Sequence, residues 1–116
     1  MADETSAPVE LVSIADFRRI DLRVAKVLEA RPHPNADRLI LLKVDVGGQQ
    51  KQIVAGIRAW YTPESLVGRS IVVVNNLQPA MLRGEESNGM LLAATSGDQV
   101  IVLTPERECG PGAKIS

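Results

Sequence analysis

Short apolar runs, rich in β-branched residues and broken about every ten residues by turn-forming pairs, restrict what this chain can fold into more than any other feature. Gly47-Gly48, Asn88-Gly89, Ser96-Gly97-Asp98 and Gly110-Pro111-Gly112 punctuate it, and glycine at such points admits the positive φ that tight turns need. DLRVAKVLEA (21–30) alternates, with Leu22, Val24 and Val27-Leu28 apolar between Arg23, Lys26 and Glu29, the period of a half-buried strand. Leu42, Val44 and Val46 face one way and Lys43 and Asp45 the other. Gly47-Gly48 then turns the chain, placing Lys51, Ile53 and Ala55 on the returning strand of a hairpin. RSIVVVNNL (69–77) has the β-branched density of a buried strand. RPHPNAD (31–37), with two prolines and an asparagine, is a loop, and His33 between its prolines reads as an exposed residue.

Two short helices interrupt this pattern. Ser13-Ile14-Ala15-Asp16 has the form of a capping box, and a helix running through Phe17 to Ile20 is expected after it. Thr62 as N-cap, Pro63 at the first helical position and Gly68 as the stop mark a second helix. A mainly all-β chain with a short helix between its third and fourth strands matches the five-stranded, partly open barrel called the OB-fold. The strands after Met90 exceed what that barrel requires. Apolar strands left at an edge need cover, so self-association through the C-terminal third is expected. The length of 116 residues fits one domain, divided here into a flexible acidic lead (1–12) and a folded unit (13–116).

Composition narrows the function. MADETSAPVE is acidic and polar, unlike a secretory signal, and no apolar run is long enough to span a bilayer. A single cysteine, Cys109, excludes an internal disulfide and fits a reducing compartment, so a cytoplasmic protein is expected. One His and one Cys cannot build a structural zinc site. No phosphate-cradling glycine motif occurs either, so no metal or cofactor is expected. Nothing in the sequence activates Cys109 as a nucleophile. Glu85-Glu86, adjacent in an extended segment, point to opposite faces and make a poor acid–base pair. A binding module is expected rather than an enzyme.

The charge distribution points to a kind of partner. Net charge is −1, yet residues 17–83 carry eleven Lys/Arg against five Asp/Glu, and the acidic excess lies at the two ends. Binding responds to local potential rather than to the sum, so a positive face can form. Phe17, Trp60 and Tyr61 are the only aromatics, and Phe17 is expected in the core. That is too few for stacking successive bases of a single strand. Folded RNA, recognised by shape through phosphate and 2′-hydroxyl contacts, needs fewer.

With these expectations in place, DLRVAKVLEARPHPNADRLILLKVDVG, QIVAGI, YTPESLVGRSIVVVNNLQPAMLRGEESNGMLLAA and GPGAKIS closely resemble the tRNA-binding domain family. That family includes free-standing bacterial tRNA-binding proteins and the C-terminal domain or β subunit of methionyl-tRNA synthetase. The resemblance runs from about Ile14 to Ser116 and rests on several motifs in order. It implies an OB-fold with a C-terminal dimerisation extension, a tRNA partner recognised by shape, and association with methionyl-tRNA synthetase. The family pattern falls here on Asn76, Leu77, Pro79, Arg83, Gly84, Ser87, Gly89 and Met90. Ser87 and Asn88 can hydrogen-bond backbone or base edges, Gly89 admits close approach, and Met90 can pack flexibly on a base or sugar. Met81 stands where the family commonly has Lys, which leaves Arg38, Lys43, Lys51, Arg58 and Arg83 to carry the charge contacts. A related branch of the same fold, an export chaperone that binds unfolded polypeptides, is the alternative.

Overall fold

Strand β1 (Leu22–Pro32) organises the molecule, because every neighbouring strand of the main sheet is reached through it. The computed structural model describes residues 9–116. Before β1 lies helix α1 (Ile14–Phe17). After it come β2 (Ile40–Asp45), β3 (Gln50–Ala55), α2 (Pro63–Leu66), β4 (Ser70–Val74), β5 (Ala80–Leu82) and β6 (Glu85–Ser87). The remaining strands are β7 (Met90–Leu91), β8 (Ala93–Ser96), β9 (Gln99–Val102) and β10 (Lys114–Ile115). The sheet order is β3-β2-β1-β4-β7, all antiparallel, with β10 also on β1.

The first half of β1 pairs with β4 and its second half with β2, and the register slips between Val27 and Glu29. A bulge of this kind bends a strand and sharpens its twist, which lets one strand serve both walls of a barrel. Ala25, Val27, Ile40, Leu42, Val44, Ile53, Ile71 and Val73 fill the interior, and Leu66 of α2 plugs one end. The small helix falls between the third and fourth strands, and the architecture is the OB-fold barrel read from the sequence.

Local expectations fared unevenly. Ser13 caps α1 as expected, its Oγ accepting from the Asp16 N–H at 3.0 Å. The helix begins directly at that cap, however, and ends at Phe17, with residues 18–20 in a turn. Phe17 is 39% exposed rather than in the core. It lines a surface hollow with Ile14, Ile20 and Ile115. Thr62 and Pro63 start α2 as expected. Of the expected lead, residues 1–8 lie outside the described residues, and residues 9–12 are exposed and without regular structure.

Two glycine loops meet in a way the sequence does not show. Gly47, in the β2–β3 turn, and Gly112, before β10, both have positive φ, at 78° and 91°. A Cβ built on Gly112 would lie 2.8 Å from the Gly47 Cα. The C-terminal segment thus crosses the hairpin backbone on backbone, a contact that only two glycines permit.

Candidate nucleic-acid interface

The β5–β6 hairpin carries most of the pattern singled out in the sequence, and it divides into a tip and a seam. The turn is not at Asn88-Gly89, as the sequence suggested, but at Arg83-Gly84. Both turn residues have positive φ, 53° and 89°, the requirement of a type I′ hairpin turn. Arg83 is the only non-glycine residue with positive φ among the described residues, a conformation that strains an ordinary L side chain. Asn-Gly suits such a turn better than Arg-Gly, which is why local chemistry misplaced it.

Asn88-Gly89 forms the seam that closes the barrel. Ser87 is 5% exposed. Its Oγ accepts from the Val54 N–H at 3.0 Å and donates to the Gly89 carbonyl at 3.0 Å. The Asn88 N–H donates to the Gln52 carbonyl at 2.8 Å. The Gln52 amide in turn donates to the Glu86 carbonyl and the Glu85 carboxylate. These bonds join β6 to β3. They also satisfy backbone groups that burial would otherwise leave unpaired. Gly89 is needed for space, since a Cβ there would lie 3.0 Å from the Val74 carbonyl oxygen and 3.3 Å from Ile53.

The ten candidate residues therefore separate. The Ser87 hydroxyl is committed to the fold, and Gly89 is buried within it. Asn76 also works internally, its side chain accepting from the Asp21 N–H at 2.8 Å and donating to the Arg19 carbonyl at 2.7 Å. Lys51 is half-buried and donates to the Asn75 carbonyl at 2.7 Å across the barrel mouth. Met90 is exposed beside Asn76 and Leu77, and Asn88 is partly exposed. Lys43 lies on the outer face of β2, its Nζ 3.7 Å from Glu29. Arg31, not singled out from the sequence, shares that groove with Lys43.

Arg38, Arg58 and Arg83 are exposed, and two hydrogen bonds bring their backbones to one end of the barrel. The Arg58 N–H donates to the Arg38 carbonyl at 3.3 Å. His33, in the same loop as Arg38, bonds to the Leu82 carbonyl at 3.0 Å, one residue before Arg83. His33 is 3% exposed, contrary to the expectation of an exposed loop residue. Two prolines set the backbone of that loop, but the ring has partners on both sides and turns inward.

A second polar knot stands behind the seam. The Asp21 carboxylate accepts from the Asn75 amide at 3.0 Å and the Arg23 guanidinium at 2.7 Å. These two hydrogen bonds, the Asn75 bond foremost, hold its pKa below the usual carboxylate value. Arg23 continues to the Gly112 carbonyl at 3.2 Å and so ties the knot to the glycine crossing.

These elements define a small OB-type barrel, closed by the β5–β6 hairpin and with exposed arginines at one end. Residues 22–114 match the family model described as "Putative tRNA binding domain", and the chain belongs to that family. It is 53% identical over 116 residues to the methionine–tRNA ligase of Thermotoga maritima, covering 100% of this chain and 18% of that protein. The corresponding enzyme of Thermococcus kodakarensis is 50% identical over 107 residues, 92% of this chain and 14% of that one. The chain thus spans less than a fifth of these relatives. Among solved structures, a MetRS-related protein from Pyrococcus horikoshii superposes with TM-score 0.88 at 33% identity, covering 93% of this chain and 100% of that one. The chaperone CsaA of Bacillus anthracis superposes with TM-score 0.83 at 34% identity, covering 92% and 100%.

Proposed function

We propose that this chain is a non-catalytic module that binds tRNA by its folded shape and assists a methionyl-tRNA synthetase. The observation that carries the reading is the convergence of exposed Arg38, Arg58 and Arg83 on one end of a tRNA-binding-family barrel. Guanidinium groups on a rigid rim suit phosphates whose spacing is set by a folded RNA. Of the aromatics, the Trp60 indole N–H is held by the Asp98 carbonyl and the Tyr61 hydroxyl accepts from the Val102 N–H. Trp60 and Phe17 remain partly exposed, too few rings for stacking a run of bases. A bound tRNA held beside the synthetase raises its effective concentration there, changing apparent affinity rather than the chemical step. The single free cysteine suits a cytoplasmic site of action.

A homodimer is part of the same proposal. The outer side of the β8–β9 hairpin exposes Ile101 and Leu103, while Val100 and Val102 turn to the barrel core. A second copy covering this face would remove apolar area from water. Sedimentation velocity tests it, with the wild type expected as a dimer and Ile101→Glu as a monomer; a monomeric wild type contradicts it.

The likeness to CsaA, together with the same exposed apolar residues, favours a second reading, a chaperone for unfolded polypeptide. One titration separates the two, using folded tRNA, unstructured RNA of equal length and an unfolded polypeptide. Binding of folded tRNA alone, weakening with salt, supports the first reading. Binding of polypeptide alone supports the second.

A further inference from the structure

We propose that His33 is a positioning residue for RNA binding: it pins the free arm of the β5–β6 hairpin and so holds the Arg83 guanidinium at the binding rim. The inference rests on the tRNA-binding reading and adds a role for a residue outside the recognised surface pattern.

The hairpin is anchored asymmetrically. Its β6 arm is fastened to β3 through Ser87, Asn88 and Gln52. Its β5 arm pairs only with β6. Among the described residues, the one side-chain hydrogen bond that reaches β5 is the one from His33 to Leu82. Leu82 is the last residue of β5 before the strained Arg83. Without the pin, the turn can relax from its left-handed conformation by peeling β5 away, and Arg83 leaves with it. A residue held in a sparsely populated conformation persists only where its surroundings impose it, and the imidazole is the nearest such constraint.

The ring's hydrogen-bond partners fix its chemistry. The Asn35 N–H donates to Nδ1 at 2.9 Å, so that nitrogen carries no proton. The neutral ring therefore carries its proton on Nε2 and donates it to the Leu82 carbonyl. One side of the ring closes its own loop and the other reaches across to the hairpin. The same loop bears Arg38, so the pin also sets the spacing between Arg38 and Arg83.

The two functions can be separated by substitution. An asparagine places its amide near the Nδ1 position and can keep the Asn35 bond, but it is too short to reach Leu82. A glutamine places its amide near the Nε2 position and can donate to Leu82 while losing the Asn35 bond. Three variants, His33→Asn, His33→Gln and Arg83→Asn, are titrated with folded tRNA at several salt concentrations. ¹⁵N relaxation of the amides of residues 82–85 is recorded in the free protein.

We expect His33→Asn to mobilise the tip and weaken tRNA binding about fivefold, the loss of one hydrogen bond's worth of ordering. His33→Gln is expected to keep a rigid tip and to bind within about twofold of wild type. A His33→Asn protein that loosens at the tip yet binds at full affinity overturns the proposal. So does a His33→Gln protein that is as weak as His33→Asn. Arg83→Asn separates this from the parent reading. If it weakens binding while both His33 variants do not, only the positioning role falls; if wild type binds no tRNA, the function itself falls.

Discussion

The tip and the seam of the β5–β6 hairpin lie four residues apart, from Arg83 to Ser87, and do opposite work. At the seam Ser87 and Gly89 are buried, the Ser87 hydroxyl both accepts and donates within the protein, and Gly89 leaves no room for a Cβ. At the tip, Arg83 is exposed, its backbone is strained, and a Cβ on Gly84 would meet nothing. A family-type motif that looks like one binding segment in sequence is thus a structural latch followed backwards into a presented charge. The residues most recognisable in the sequence include ones whose polar groups and space are taken up by the fold itself.

The largest expected effect is at the seam. Gly89→Ala drives a Cβ towards the Val74 carbonyl and Ile53, and should destabilise the fold by about 2–3 kcal/mol in chemical denaturation. An unchanged midpoint would mean that the seam is looser than described. Ser87→Ala removes the acceptor of a buried backbone N–H on Val54, which should cost about 1–3 kcal/mol. In the still-folded fraction, its intrinsic tRNA affinity should change little. A large affinity loss in fully folded Ser87→Ala protein would move this serine back to the binding surface.

How much of this could be read in advance follows the same division. The barrel was legible because alternation in β2, β-branched density in β4, the Gly47-Gly48 turn and the Thr62-Pro63 helix start are local signals that agree with one another. Arg38, Arg58 and Arg83 were legible as charges. What escaped is set by long-range contact. The Asn-Gly signal lost to a register fixed by Ser87 on Val54, and His33 turned inward for a partner 49 residues away. The Gly47–Gly112 crossing needs a mid-chain hairpin loop and a loop near the C-terminus to meet. Phe17 missed the core because the helix that carries it ends there and leaves its ring lining a surface hollow with Ile14, Ile20 and Ile115.

The polar knot behind the seam gives a pH test of smaller size. Because hydrogen bonds from Asn75 and Arg23 lower the folded pKa of Asp21, its contribution to stability is full above the ordinary carboxylate pKa. It is lost as pH falls through the lower folded value. Thermal melts should therefore show acid destabilisation that is reduced in Asp21→Asn; equal acid slopes in the two proteins would contradict the assignment.

The smallest effect is expected beside the tip. Met81 is 67% exposed on β5. Met81→Lys adds a cation next to the rim and should tighten tRNA binding a few-fold, steepening the salt dependence by about one phosphate contact. No change in slope would place β5 away from the RNA backbone.

Our proposal that the tip binds while the seam builds stands or falls with the salt dependence of tRNA affinity for Arg83→Asn against wild type. Asparagine tolerates the left-handed conformation, so the fold and its stability should be retained. The slope of log affinity against log salt should fall by about one, with weaker binding throughout. An unchanged slope and affinity in the folded variant would contradict the account and return the tip to a plain turn.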